Sequence, residues 1–80
     1  MHTTRTHFQN GYGMSMALIE GCLEIAILYD GYLIYDSPIA DVGEFAARLT
    51  EGVGDVVRGA TLSDIVQIAE ILKASPPRET

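Results

Sequence analysis

The chain has 80 residues, a mass of 8.7 kDa, a net charge of −6 and a mean hydropathy of +0.17. That length holds one domain (1–80) with a small core, and an apolar content of 48% against 20% charged excludes an intrinsically disordered chain. The single cysteine, Cys22, excludes an intrachain disulfide and an all-cysteine metal site.

Residues 1–11 (MHTTRTHFQNG) show no periodicity and read as a flexible arm. Their polarity is wrong for the apolar region of a signal peptide, and no apolar run is long enough to span a bilayer, so the expected compartment is the reducing cytoplasm.

From Met14 to Asp36 the pattern is that of strands. Asp30-Gly31 is a two-residue hairpin signal between LEIAILY and YLIYD. A tight turn there sets Tyr29 opposite Tyr32, Ile27 opposite Ile34 and Leu28 opposite Leu33. A second turn at Glu20-Gly21 sets Leu18 opposite Leu23, Met16 opposite Ile25 and Met14 opposite Ile27. The two turns independently place Met14, Met16, Leu18, Leu23, Ile25, Ile27, Tyr29, Tyr32 and Ile34 on one face, which a register slip would not do. A helix through 14–28 also fits a 3.6-residue period, but Gly21 in its middle and the β-branched content of 25–27 favour strands.

After Ser37-Pro38 the period changes. Val42, Phe45, Ala46 and Leu49 follow helical spacing, with caps at Ser37 or Asp41 and a stop at Gly52, which predicts a helix over about 39–51. Residues 53–59 (VGDVVRG) read as a connector with room for one helical turn. Thr61 caps a second helix over about 62–74, with Asp64 accepting the orphan amides and Leu62, Ile65, Val66, Ala69 and Leu72 as its buried stripe. Pro76-Pro77 ends it, and 76–80 reads as a disordered tail. The expected fold class is α+β: a three-stranded antiparallel meander (about 14–36) followed by two helices packed on one face. Leu28, Leu33, Tyr35 and Ile19 are left on the opposite face as a candidate interface.

No chemistry-bearing constellation emerges. Cys22 has no histidine near it in sequence and reads as a small buried cysteine, and His2 and His7 lie in the arm. Asp30, Asp36, Asp41 and Glu44 do not match a calcium loop and are explained by turns and caps. Neither Gly11-Tyr12-Gly13 nor Gly52-Val53-Gly54 forms a phosphate-binding fingerprint. The expectation is a non-enzyme with no cofactor and no metal.

The uneven charge is more informative. Residues 20–70 carry ten acids against Arg48 and Arg58, and residues 20–44 carry six acids and no base. Such a field repels nucleic acid and anionic membrane and attracts a basic protein surface. The candidate partner-binding residues are Glu20, Glu24, Asp30, Asp36, Asp41 and Glu44, with Tyr35 and Leu33 as anchors. They suit docking on a nucleic-acid-binding groove, with carboxylates in the places of phosphates.

The stretch GMSMALIEGCLEIAILYDGYLIYDSPIADV, Gly13 to Val42, with the acidic segment after it, resembles phage-borne anti-CRISPR proteins. It is most similar in character to inhibitors of type I systems, subtype I-C among them. The likeness is one of size, charge and layout and includes no family motif, so no binding position is carried over from it. It implies non-enzymatic inhibition: binding to a multisubunit surveillance complex (Cascade) in the host cytoplasm and blocking recognition of the PAM and target duplex. A different class is a homodimeric interaction module, joined through Leu28, Leu33 and Tyr35 or through the edge strand 32–36. An antitoxin-like neutraliser of a basic protein is a variant of the first class.

Overall fold

The computed structural model describes residues 2–49 and 54–78. The class is the expected α+β. Strands β1 (His2–His7), β2 (Tyr12–Ile19), β3 (Cys22–Tyr29) and β4 (Tyr32–Leu33) form an antiparallel sheet in chain order. A 3-10 turn (Pro38–Asp41) and a four-residue α1 (Gly43–Ala46) follow, then β5 (Val56–Arg58) and the main helix α2 (Leu62–Ala74).

The turn chemistry sets the register. Glu20 and Gly21 have φ of 51° and 82°, and Asp30 and Gly31 have 51° and 85°, the doubly positive pattern of tight hairpin turns. Leu18↔Leu23, Met16↔Ile25, Met14↔Ile27, Tyr29↔Tyr32 and Leu28↔Leu33 pair as the sequence predicts. Met14, Ile25 and Ile27 then enter a core with Tyr12, Ile39, Phe45, Val57, Ile68 and Leu72.

Several expectations are corrected. Residues 2–7, predicted as an arm, add β1 to the sheet by pairing His2↔Leu18 through His7↔Gly13. Apolar alternation is absent there because Thr4 and Thr6 lie on the margin of the core face, where no large side chain is needed. The third strand is shorter than predicted: beyond Leu33 the edge of β3 passes to β5, with Glu24↔Arg58, Ile25↔Val57 and Ala26↔Val56. Ile25 therefore meets Val57, an aliphatic partner in the core.

The helix predicted over 39–51 is broken. Val42 is extended (φ −99°, ψ 110°), so the 3-10 turn and α1 are separate turns, and Leu49 bridges Val57. Its residues 50–51, and the stop at Gly52, lie outside the described residues. Both turns still bury one anchor each, Ile39 and Phe45. Helix α2 has the predicted bounds and a full capping box between Thr61 and Asp64, but Leu62 and Val66 are exposed while Ile68 and Leu72 fill the core. The stripe was expected a quarter turn away from where the sheet receives it.

The C-terminus of α2 is held by Asn10. Its Nδ2 donates to the carbonyls of Leu72 (2.7 Å) and Ser75 (2.8 Å), and its Oδ1 accepts from Tyr12 N. Beyond the helix, Arg78 N donates to the Tyr29 hydroxyl (3.0 Å) and its Nη1 to the Tyr35 carbonyl (3.2 Å), so residues 76–78, predicted as tail, lie against the sheet end. Residues 79–80 lie outside the described residues. No helix among the described residues is long and apolar enough to cross a membrane.

Candidate functional site

The candidate acids do not form one strip. Eight-residue β3, roughly 26 Å long at 3.3 Å per residue, separates them. Glu20, in the β2–β3 turn, and Glu24 lie toward one end, where they line a shallow cleft with Ile19, Cys22, Arg58 and Gly59. Glu24 is mostly buried and faces Arg58 Nε at 3.5 Å, so its charge is locally compensated. Cys22 there is free and exposed, against the expectation of a buried thiol, because it opens β3 next to the turn.

Asp30, Asp36 and Asp41 gather at the other end. Asp30 occupies the β3–β4 turn, and Asp36 has φ of 53°, the left-handed conformation that aspartate tolerates better than most residues. Asp36 and Asp41 line a cleft with Tyr12, Pro38, Ser75, Pro76, Pro77 and Arg78. All three carboxylates are exposed, and among the described residues none makes a salt bridge. Beside them Tyr32, Leu33 and Tyr35 are exposed, while Tyr29 packs edge-on against Tyr12 with ring centroids 4.8 Å apart. Leu33 also rests on Gly54, where an added Cβ would fall 2.5 Å from its Cγ.

Leu28, predicted as part of an exposed patch with Leu33 and Tyr35, is buried, and Val56, opposite Ala26 in the register, is buried on the same face. Ile19 lies at the far end of β2, away from Leu33 and Tyr35. Leu28 is therefore withdrawn from the homodimer face drawn through it, while Leu33 and Tyr35 stay exposed. Glu44, on α1, is close enough to Arg48 for its charge to favour the guanidinium.

Asp64 and Arg48 form the arrangement that sequence reasoning missed. Arg48 Nη1 and Nη2 donate to Asp64 Oδ1 (3.0 Å) and Oδ2 (2.9 Å), and Thr61 N also donates to Oδ2 (2.9 Å). The Arg48 hydrogen bonds, with the Thr61 amide next, hold the Asp64 carboxyl down at about 2 despite its burial. The same pair raises Arg48, chiefly through the hydrogen bond. This fork ties the chain after α1 to the start of α2 and is a clamp of the fold. Its only signal in the sequence is that Arg48 is one of two bases among ten acids over residues 20–70.

Among the described residues no group of three or more histidine, cysteine, aspartate or glutamate side chains is placed to hold a metal ion. Comparison with protein-family models, curated proteins and solved structures finds no match.

Proposed function

We propose that the protein is a small acidic binding protein that docks the Asp30/Asp36/Asp41 end of its sheet on a basic, nucleic-acid-binding surface of a partner. The partner that fits the resemblance of the chain is a type I CRISPR surveillance complex, whose PAM and target-duplex recognition the docked protein blocks. One observation carries the reading: three exposed carboxylates, without a salt bridge among the described residues, sit beside exposed Tyr32, Leu33 and Tyr35. Carboxylates held in turns meet a basic groove with little ordering cost, so they compete for lysine and arginine that would otherwise hold phosphates. The tyrosines and Leu33 supply apolar anchors inside that ring of charge, the composition enriched at binding hot spots.

Glu20 contributes at longer range, by raising the negative potential that steers encounter, while Glu24 is compensated by Arg58. Asp30, Asp36 and Asp41 make the contact. Target-DNA binding by purified type I complexes, subtype I-C included, measured with and without the protein at low and high salt, tests the proposal. Loss of DNA binding that weakens at high salt is expected; DNA binding unchanged across the subtypes refutes it.

A further inference from the structure

Strand β1 is the outer edge of the sheet, and the other edge is broken between two-residue β4 and three-residue β5. Among the described residues only β1 offers a long free ladder. Phe8 N donates to Tyr12 O (2.8 Å), and the alternation of an antiparallel pair then turns the N–H and C=O of Thr6 and Thr4 toward β2. Those of Thr3, Arg5 and His7 point away from the sheet. The strand has β-branched threonines, no proline and one charge, so little in it discourages pairing.

A second observation lies on the same side of the molecule. At about 100° per residue, Leu62 and Val66 stand about 120° and 160° round α2 from Ile68, on the opposite flank from Asp64, which faces Arg48. Lys73 is on the Leu62 flank and lines a cleft with His7, Phe8, Gln9 and Asn10, which identifies that flank as the one above β1. Leu62 is 81% exposed and Val66 60%, and Leu18, on the core face of β2 next to β1, is 53% exposed. The apolar stripe of the helix is wider than the sheet beneath it.

We infer that the protein forms a two-fold dimer by antiparallel pairing of β1 with β1 of a second copy, the exposed flanks of the two α2 helices closing over the joined sheet. A two-fold axis normal to the sheet keeps both helices on one face, so Leu62, Val66 and Leu18 of each copy gain cover from the other. A lone extended peptide would satisfy the β1 edge and leave Leu62 and Val66 in water; a second copy supplies strand and helix together. Charge favours the same arrangement. Residues 1–19 carry Arg5 and no acid, so at this edge two chains of charge −6 meet without a carboxylate on β1 or β2, and Glu70, one turn beyond Val66 on α2, is paired with Lys73. The register is centred on Thr4. Thr3 and Arg5 of opposite copies then exchange backbone hydrogen bonds, whereas centring on Arg5 would set like charges face to face. The broken β4/β5 edge stops growth at two copies.

Light scattering on the full chain is expected to give twice the 8.7 kDa mass. Val66→Glu or Leu62→Glu, both at exposed positions, is expected to raise the dissociation midpoint at least tenfold with the circular dichroism unchanged. Thr4 meets its own copy at a non-hydrogen-bonded position, where side chains approach most closely. Thr4→Cys in a Cys22→Ser background is therefore expected to oxidise to a covalent dimer, and Thr3→Cys in that background to remain uncoupled. A chain that stays monomeric up to about 1 mM overturns the inference. So does a dimer that survives Val66→Glu and fails to cross-link through Thr4→Cys.

Discussion

Replacing Asp64 by asparagine removes one charge from the clamp while keeping its shape. Asp64 accepts three hydrogen bonds through two oxygens, from Arg48 Nη1 at Oδ1 and from Arg48 Nη2 and Thr61 N at Oδ2. An amide has one accepting oxygen, so at least one bond is lost and an NH2 group is turned toward a guanidinium or a backbone N–H. Hydrogen bonds to charged groups contribute about 1.5–3 kcal/mol each, which sets the expected loss at about 2–3 kcal/mol. An 80-residue domain has roughly 4–12 kcal/mol in total, so the loss is a large share of it. Thermal unfolding followed by circular dichroism is expected to show a Tm lower by about 10–20 °C.

The pH dependence gives an independent check. The folded carboxyl is lowered from 3.8 to about 2, so its stabilisation is complete above the unfolded value and is lost as pH falls through the folded one. The shift corresponds to about 2 kcal/mol. Because the Arg48 side chain is 32% exposed and screened by water, about 1–2 kcal/mol is the expected share. Urea titrations between pH 5 and pH 2 should show the wild type losing that much more stability than Asp64→Asn. Equal urea midpoints at pH 7, or the same acid loss in both proteins, would refute the clamp.

The orientation of α2 predicts a contrast: Ile68→Ala costs about 2–5 kcal/mol by opening a core cavity, and Leu62→Ala under about 0.5 kcal/mol in dilute protein, both read by urea denaturation. Gly54 has φ of 100° and supports Leu33, so Gly54→Ala should cost more than about 1 kcal/mol, and adding Leu33→Ala should recover the steric part alone. The β1-paired dimer, read by light scattering and by Thr4→Cys cross-linking, is the fourth expectation.

The sequence was most legible where a local device dictates geometry. Glu20-Gly21 and Asp30-Gly31 admit the left-handed backbone of a tight turn, so they set the β2–β3 and β3–β4 registers to the residue. Thr61 and Asp64 marked the start of α2 by their own hydrogen bonds. Legibility failed where tertiary partners decide. Val56 and Val57 become a strand only because β3 offers an open edge beyond Leu33. Thr3 to Thr6 lack alternation because their margin of the core face needs no large residue. The stripe of α2 could be placed on the helix but not against the sheet, since Asp64 is turned by Arg48, a residue sixteen positions away. The acids read as one strip because they are contiguous in sequence, whereas β3 carries them to opposite ends of the sheet.

The central claim is that Asp30, Asp36 and Asp41 compete for a DNA-binding surface. The triple variant Asp30→Asn, Asp36→Asn, Asp41→Lys removes the three exposed charges and keeps at 30 and 36 (φ 51° and 53°) a residue that tolerates the left-handed backbone, so a native circular dichroism spectrum is expected. Its effect on target-DNA binding by a type I surveillance complex that the wild type inhibits is the most direct measurement. The account predicts that DNA binding is restored by the triple variant while Glu20→Lys still inhibits with a slower onset. Full inhibition by the triple variant would contradict it.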